Sequence, residues 1–448
     1  MDITIENSWW FEGGLWQDPD LKRVKSSYLK YHPQPIEPQE CESLGVITLR
    51  GPRRAGKTVT LKLLVADLLE KEGWEGRNIL WTSFETFRTL SQIEEHLVRL
   101  QNQHRPKLIV VDEVTSVIGW QRVIKKLRDN GTLANTTLIL TGSSAFDLKS
   151  GVERMAGRRG TIQFPDRVLL PMSFSDFTQQ LAVGDLTFPP FEQVRHFLGV
   201  GGFPFRVDEF IRTFKTNTQW NQLKGFQVFD DVVFYEVTRR RLDRNIALEV
   251  FSRLSQIQSN AVSLEAFSKP MTISRDTAKK YISALGDSFL LATIFSFDTS
   301  RNRVAPRKDR KFLWIDPSLG SLAEWLGQGE PASEAVRAEW AVGSELLRRY
   351  EVRLWEGLSA PRNLFTWKSS SGNEIDYLVI NKAKKFFLPV EVKYQQSISD
   401  WDFQVMERAF KKGELVTPNF SKMRLLARAL PLHEFLCAES IISDNKFR

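Results

Sequence analysis

The chain has 448 residues, of which 42% are hydrophobic and 26% charged, the balance of a globular protein with room for about three domains. Its formal net charge of +8 suits a polyanionic partner but does not identify one. Only two cysteines occur, Cys41 and Cys437, which excludes a disulfide framework and a cysteine-based metal site. The first residues lack the order of a signal peptide and no apolar run approaches a membrane span, so we expect a cytoplasmic protein without a membrane partner.

Residues 1–44 are predicted to be a lead-in to the first domain. Aromatic side chains there, including Trp9, Trp10 and Trp16, are suited to packing against that domain. Prolines between residues 33 and 38 interrupt regular structure before the domain begins.

A phosphate-binding pattern, G-x-x-x-x-G-K-[ST], occupies residues 51–58. Apolar residues before it predict a buried strand, and residues 59–69 after it have helical spacing. This order directs unpaired backbone N–H groups and a helix dipole at one point. Lys57 would then reach the β- and γ-phosphates of ATP, and the Thr58 hydroxyl would ligate Mg²⁺. The predicted nucleotide-binding residues of the loop are Gly51, Pro52, Arg53, Arg54, Ala55, Gly56, Lys57 and Thr58.

Buried strands and helices alternate after this loop. Residues 79–84, 108–111 and 137–140 are strand-like, whereas residues 93–100 and 120–130 have helical spacing. The alternation predicts a parallel, three-layer α/β domain.

Polar residues follow two of these strands. After residues 108–111, Asp112 is placed to hold Mg²⁺ and Glu113 to polarise the attacking water. Acidic residues also follow strands simply as solvated loop residues. Thr141 ends the next strand and is placed like a sensor of the γ-phosphate, although Thr-Gly at a strand end is also an ordinary turn.

Two consecutive arginines, Arg158 and Arg159, lie further along the chain. An arginine near the γ-phosphate can stabilise the charge of the transferring phosphoryl group, often from a neighbouring subunit. We predict this role for Arg158 ahead of Arg159. A basic turn between a helix and a strand is the alternative, and spacing does not choose between them.

Several segments occur in the order seen in a prokaryotic family of AAA-type P-loop ATPases, which this chain resembles over residues 45 to about 395. They are residues 51–58, Val111-Asp112-Glu113, Thr141-Gly142-Ser143-Ser144, Ala156-Gly157-Arg158, residues 170–177 and Gly201-Gly202-Phe203-Pro204. The family's penultimate element usually reads Leu-x-Pro-Leu-Ser-Phe-x-Glu-Phe, from which Met172 and Asp176 depart. The resemblance implies a Mg²⁺-dependent ATPase, a possible ring of copies, and a C-terminal region resembling restriction endonucleases. Many members have no assigned biological role.

The predicted domains are a P-loop ATPase core at residues 45–185, a helical lid at 186–245, a winged helix at 246–317 and a nuclease-like domain at 318–448. In the winged helix, residues 246–256 and 274–285 are helical and a short helix starts near residue 264. Ser274 is a credible N-cap of the third helix. Three cations are predicted on its outward face, Arg275, Lys279 and Lys280.

Two strand-like stretches, residues 289–297 and 311–315, flank a strongly basic loop. Its cations are Arg301, Arg303, Arg307, Lys308, Arg310 and Lys311, against the single acid Asp309. If the third helix entered the major groove and this loop contacted phosphates, the domain would bind DNA. A solvated hairpin in a protein–protein module is the alternative.

The C-terminal stretch carries a D…ExK pattern. Asp376 begins one strand, and Glu391 and Lys393 project on the same side of its hairpin partner. Asp376 and Glu391 would hold Mg²⁺ or Mn²⁺, while Lys393 would orient water or neutralise an oxyanion. This resembles the PD-(D/E)xK nuclease core, with Glu345 matching its helical metal ligand. Such strings are also frequent by chance, and such folds persist as inactive DNA-binding modules.

Two functions remain open at this point. One is an ATP-hydrolysing DNA-processing motor or ATP-regulated nuclease that acts on duplex or branched DNA. The other is a nucleotide-switched signalling or interaction protein with an inert C-terminal fold. A small-molecule kinase would leave the basic loop and the C-terminal region without a role.

Overall fold

The computed structural model describes residues 3–142, 147–148, 151, 157, 159–223, 225–351, 354–381, 386–395, 397–424 and 426–438. The chain divides into two compact units, Met1–Leu170 and Pro171–Arg448. Within the described ranges, no helix is long and apolar enough to cross a membrane.

A parallel sheet forms the centre of the first unit, as the alternation of strands and helices predicts. Its strands are β1 (Val46–Arg50), β2 (Ile79–Ser83), β3 (Leu108–Asp112), β4 (Thr137–Thr141) and β5 (Asp166–Val168). They lie in the order β2-β3-β4-β1-β5, and all the pairs are parallel. The strands are parallel, and β4 lies between β1 and β3. The segments that follow these three strands therefore lie side by side at the carboxyl-terminal edge of the sheet.

Helices precede β1 and connect the successive strands from β1 to β4. They are α1 (Ile3–Glu6), α2 (Pro19–Ser26), α3 (Lys57–Glu70), α4 (Leu90–His104) and α5 (Trp120–Asp129). A capping box of Thr89 and Gln92 fixes the start of α4. The strands β1, β3 and β4 are almost entirely buried, which explains their continuous apolar runs.

The lead-in covers the exposed edge of β2. The Asn7 side chain accepts a hydrogen bond from Trp81 N at 2.6 Å and donates to Trp81 O at 2.9 Å. The indoles of Trp9 and Trp10 are buried and donate to Ile79 O. The lead-in therefore adds to the core of the first unit and occupies backbone groups that an edge strand would otherwise expose.

Helices dominate the first part of the second unit. They are α6 (Phe174–Val183), α7 (Pro190–Val200), α8 (Pro204–Lys215), α9 (Gln227–Arg239), α10 (Arg244–Ile257), α11 (Leu264–Ser268) and α12 (Arg275–Asp287). The Ser274 hydroxyl accepts from Thr277 N at 3.0 Å, so Ser274 caps α12 as predicted. Two antiparallel strand pairs follow, formed by β6 (Leu291–Phe295) with β9 (Arg310–Trp314) and by β7 (Phe297–Asp298) with β8 (Arg303–Val304).

A mixed sheet completes the second unit. Its strands are β10 (Leu364–Lys368), β11 (Glu374–Asn381), β12 (Phe386–Val392), β13 (Glu414–Thr417), β14 (Lys422–Met423) and β15 (Arg428–Pro431), in the order β10-β11-β12-β13-β15-β14. The predicted hairpin is β11 with β12, which pair antiparallel with Tyr377 opposite Val390. The helices here are α13 (Leu322–Trp325), α14 (Glu334–Tyr350), α15 (Trp401–Phe410) and α16 (Leu432–Cys437).

Candidate nucleotide site and C-terminal charge cluster

The loop between β1 and α3 has the predicted strand–loop–helix arrangement. Gly51 has a φ of +145° and Gly56 a φ of +96°, a region that favours glycine. A Cβ atom at Gly51 would lie 2.0 Å from Leu169 O, so the close approach of these two segments also requires glycine. Since α3 begins at Lys57, directly after Gly56, the positive end of its dipole faces the loop.

The Lys57 ammonium lies against the backbone of this loop. Its Nζ donates to Gly51 O at 3.1 Å and to Pro52 O at 2.9 Å. Burial lowers the pKa of Lys57 to about 8, although the nearby Glu113 and Asp112 carboxylates act in the opposite direction. A phosphate oxygen would therefore stabilise the charged form of Lys57 further.

Thr58 and Asp112 connect the loop to the end of β3. Thr58 Oγ1 donates to Asp112 Oδ2 at 3.0 Å, and Asp112 Oδ1 accepts from Glu113 N at 3.0 Å. Burial raises the pKa of Asp112, and the Thr58 hydrogen bond partly offsets this effect. A hydroxyl and a carboxylate side by side are the oxygen donors that Mg²⁺ prefers, so these residues fit the predicted ion.

Glu113 is held in place by a residue that the sequence did not single out. Thr115 Oγ1 donates to Glu113 Oε1 at 3.0 Å, and Glu113 itself has a φ of +49°. Gly142, after β4, packs so closely on Thr115 that a Cβ atom there would lie 2.7 Å from it. The only sequence signal was the position of a threonine two residues after the predicted water-polarising glutamate.

Thr141 lies buried at the end of β4, the strand between β1 and β3. Its hydroxyl has no hydrogen-bond partner in the described part of the chain. A buried hydroxyl normally has a partner, so this one is suited to accept or donate a bond to a ligand.

The other residues predicted near the nucleotide are either outside the described residues or positioned apart from the Thr58–Asp112 pair. Arg158, Ala156, Ser143 and Ser144 lie outside the described residues. Arg159 forms two hydrogen bonds to Asp166, at 2.7 and 2.8 Å, and Thr48 bonds the same carboxylate at 2.6 Å. Arg159 thus joins β5 to β1 as a structural ion pair. Within the loop, Arg53 is half-buried and Arg54 is exposed.

The predicted nucleic-acid residues divide into exposed and engaged groups. The exposed cations are Arg275, Lys279 and Lys280 on α12 and Arg301, Arg303, Arg307 and Lys308 in the basic loop. Arg310 is half-buried; its guanidinium lies 5.2 Å from the Phe295 ring and donates to Pro306 O. The exposed group can reach phosphates, whereas Arg310 is partly occupied within the protein.

Lys311 corrects one prediction. Its side chain is 5% exposed, and its Nζ donates to Asp376 Oδ1 at 2.5 Å and to Glu339 Oε1 at 2.8 Å. Burial alone would lower its pKa, but these two carboxylates raise the pKa above the ordinary lysine value. Lys311 is therefore an internal ion-pair partner and does not belong to a phosphate-binding surface.

The hairpin brings Asp376, Glu391 and Lys393 together, as predicted. Glu391 Oε2 accepts from Asp376 N at 3.1 Å, and Asp376 Oδ2 accepts from Val392 N at 2.9 Å. Lys393 Nζ lies 2.8 Å from Glu391 Oε1. Burial and the neighbouring Asp376 raise the pKa values of both Glu391 and Glu339 to about 7.

Glu345 does not take the predicted place beside these residues. Its carboxylate accepts from Arg349 Nε at 2.8 Å, and Arg349 also donates to Phe435 O in α16. The acid of α14 that joins the cluster is Glu339, six residues earlier and about 9 Å away along the helix axis. Glu345 therefore contributes to the packing of α14 against α16.

The C-terminal residues do not fit the predicted Mg²⁺ or Mn²⁺ ion. Among the residues that the structure describes, no three His, Cys, Asp or Glu side chains are grouped so that they could hold a metal. Asp376, the predicted central ligand, already binds the Lys311 ammonium. These residues therefore do not form a metal-dependent hydrolytic centre.

A comparison with protein-family models agrees with the parallel sheet and phosphate loop of the first unit. Residues 44–178 match the family model of an AAA domain, so the chain contains an AAA-type P-loop ATPase domain. Residues 191–329 and 338–435 match two domains of unknown function, DUF8612 and DUF4143.

Individual relatives are distant. An uncharacterized protein of Methanocaldococcus jannaschii is 22% identical over 82% of this chain and 79% of its own length. The Walker-type ATPase of Pyrococcus abyssi is 11% identical, with a TM-score of 0.44 over 69% of this chain and 95% of that one. The Orc1 protein of Aeropyrum pernix, solved in complex with DNA, is 12% identical, with a TM-score of 0.35 over 69% of this chain and 92% of that one. The domain assignment therefore rests on the family model.

Proposed function

We propose that this chain is an ATP-hydrolysing protein that binds DNA, with ATP turnover at the loop of residues 51–58. The observation that carries the ATPase part is the hydrogen bond from Thr58 to Asp112, at 3.0 Å. This bond brings the Thr58 hydroxyl of the phosphate loop into contact with the Asp112 carboxylate at the end of β3, near the Lys57 ammonium. P-loop NTPases bring these three groups together around the phosphates and the Mg²⁺ ion of a bound nucleotide.

Each residue of this centre has a role in the proposal. Lys57 would exchange its two carbonyl partners for oxygens of the β- and γ-phosphates. Thr58 and Asp112 would hold Mg²⁺, which neutralises charge on those phosphates when bound. Glu113, oriented by Thr115, would align the attacking water and accept its proton. Thr141, with its buried hydroxyl, would contact the γ-phosphate.

Arg158 stays in the proposal as an arginine finger that a second copy of the chain would supply. This requires a homo-oligomer, and the residue itself lies outside the described part of the chain. Arg159 is left out because its guanidinium is committed to Asp166.

The proposed DNA contact lies in the stretch from α10 to β9. Three helices, α10 to α12, precede the β6–β9 strand pair, an order that supports the winged-helix interpretation of residues 246–317. The exposed cations of α12 and of the basic loop would bind phosphates. In this proposal, residues 45–185 form the ATPase core, residues 186–245 the helical lid and residues 318–448 the C-terminal domain.

Phosphodiester cleavage is not part of this proposal. Lys311 holds Asp376, and Glu345 is engaged elsewhere, so the residues predicted for a metal-dependent nuclease do not form such a centre. The C-terminal domain would then support binding or assembly, as an inactive member of a nuclease-like fold would.

The test measures ATP hydrolysis by the full-length protein with and without linear, branched or single-stranded DNA. We expect Mg²⁺-dependent hydrolysis that DNA accelerates and that Lys57→Ala abolishes. DNA binding should weaken steeply as salt is added, because phosphate contacts release counterions. If the protein hydrolyses ATP but neither binds DNA at low salt nor responds to it, the DNA part of the proposal is refuted. The alternative function, a nucleotide-switched interaction protein, would then be favoured.

A further inference from the structure

The C-terminal carboxylate cluster contains its own cation. We propose that the Lys311 ammonium takes the place of a metal ion between Asp376 and Glu339, and that the cluster is a metal-free ionic joint that fastens strand β9 to the β11–β12 hairpin and helix α14. This inference concerns a site separate from ATP turnover and does not depend on the proposed function.

The carboxylate oxygens of Asp376 and Glu391 are already occupied by hydrogen-bond donors. Both oxygens of Asp376 have donors, Lys311 Nζ on one and Val392 N on the other. Both oxygens of Glu391 also have donors, Asp376 N and Lys393 Nζ. A divalent ion would have to displace charge-assisted hydrogen bonds, which are the stronger class of such bonds.

The charges in the cluster also oppose a divalent cation. Three carboxylates, of Asp376, Glu339 and Glu391, face two ammonium groups, those of Lys311 and Lys393. Lys311 Nζ lies 2.5 Å from Asp376 and is almost completely buried. A divalent cation bound to Asp376 would lie within a few ångströms of a buried ammonium, where like charges repel strongly because the local dielectric constant is low.

Lys311 and its two carboxylate partners lie on different elements of the fold. Lys311 lies on β9, opposite Ile294 of β6, whereas its partners lie on β11 and α14. Tyr377, next to Asp376, donates from its hydroxyl to Glu339 O at 3.0 Å. A Cβ atom at Gly343 would lie 2.5 Å from that hydroxyl, so α14 approaches β11 closely at this point. The ammonium therefore ties β9 to β11 and α14 beside the point where α14 approaches β11 closely.

A first experiment maps metal sites on the wild-type protein. Nucleotide-free protein is incubated with Fe²⁺ and ascorbate, which cleave the backbone near bound iron, and the fragments are identified by mass spectrometry. We expect no cleavage around residues 376 and 391. Cleavage there that excess Mg²⁺ or Mn²⁺ suppresses would overturn the proposal.

A second experiment counts bound Mn²⁺ by electron paramagnetic resonance, again without nucleotide. Wild-type protein and Asp376→Asn should bind the same number of Mn²⁺ ions. Lys311→Met, which removes the ammonium and keeps an unbranched side chain one atom shorter, should bind one more Mn²⁺ ion, and Lys311→Met with Asp376→Asn should lose it. Mn²⁺ should raise the melting temperature of Lys311→Met alone.

The outcomes separate cleanly. A Mn²⁺ ion on the wild type that Asp376→Asn removes, or a folded Lys311→Met protein without additional Mn²⁺, would each contradict the proposal. If Lys311→Met does not fold, the cleavage map of the wild type decides the question by itself.

Discussion

Thr58 of the phosphate loop donates a hydrogen bond to Asp112, a residue 54 positions later in the chain, at 3.0 Å. The bond is possible because β1 and β3 lie on either side of β4 in one parallel sheet, so their carboxyl ends are near neighbours. Two separate sequence motifs therefore form one site through the strand order.

Loss of either partner should abolish the effect of Mg²⁺ on catalysis. We expect Thr58→Ala and Asp112→Asn each to lower kcat by about 100-fold or more, since metal stabilisation of the transition state amounts to several kcal/mol. Steady-state hydrolysis and nucleotide binding, both measured with and without Mg²⁺, check this. Thr132→Ala, at a half-buried position in the turn after α5, serves as the control. A variant that keeps the wild-type Mg²⁺ dependence would exclude its residue as a ligand.

Thr115 should act on the rate through Glu113. Thr115→Val removes the hydrogen bond to Glu113 Oε1 and keeps the shape of the side chain. We expect kcat to fall by about 10- to 100-fold with KM unchanged, because one hydrogen bond to a charged group is worth roughly 1.5–3 kcal/mol. Ser116→Ala is the matched control, since its hydroxyl bonds the Glu113 backbone carbonyl and not the carboxylate. Thr115→Ser should restore the rate; an unchanged rate in Thr115→Val would show that the bond does not position Glu113.

The sequence was most informative where function depends on contiguous residues. The phosphate loop, its preceding strand and its following helix are consecutive, and each leaves a periodic or motif signal that sterics and the helix dipole explain. Asp112 and Thr141 could also be placed, because both directly follow buried strands.

The sequence was least informative where long-range pairing decides the role of a charge. Lys311 belongs to a basic run, and its partners are 28 and 65 positions away. A cation in such a run has the same local pattern whether it faces water or a buried carboxylate. Glu345 and Glu339 differ by six residues, or about 120° around the helix, and only the packing of α14 shows which of them faces the sheet.

Nucleotide binding should depend on pH through Lys57. Burial lowers the pKa of this ammonium to about 8 in the free protein, and phosphate would raise the pKa in the complex. Lys57 is then almost completely protonated below about pH 7, so this group leaves the affinity constant there. Above pH 8, the apparent affinity should fall by up to about tenfold per pH unit, because binding must take up a proton.

Calorimetry in buffers of different ionisation enthalpy measures this proton uptake directly. We expect uptake near pH 8.5 and almost none at pH 6.5. Lys57→Arg provides the control, because a guanidinium stays protonated throughout this range. Equal proton uptake in the wild type and Lys57→Arg would assign the effect to another group.

DNA binding should depend on the exposed cations and be insensitive to charge elsewhere on the surface. Replacing Lys279, Arg303 or Lys308 by alanine should reduce the slope of log K against log salt by about 0.9 for each lost phosphate contact. Lys125→Ala is the control, because it removes one exposed positive charge from α5 in the first unit. Fluorescence anisotropy with a labelled duplex at several salt concentrations gives the slopes. If Lys125→Ala changes the slope as much as the three test variants do, the binding reflects net charge, and residues 244–314 form no specific DNA surface.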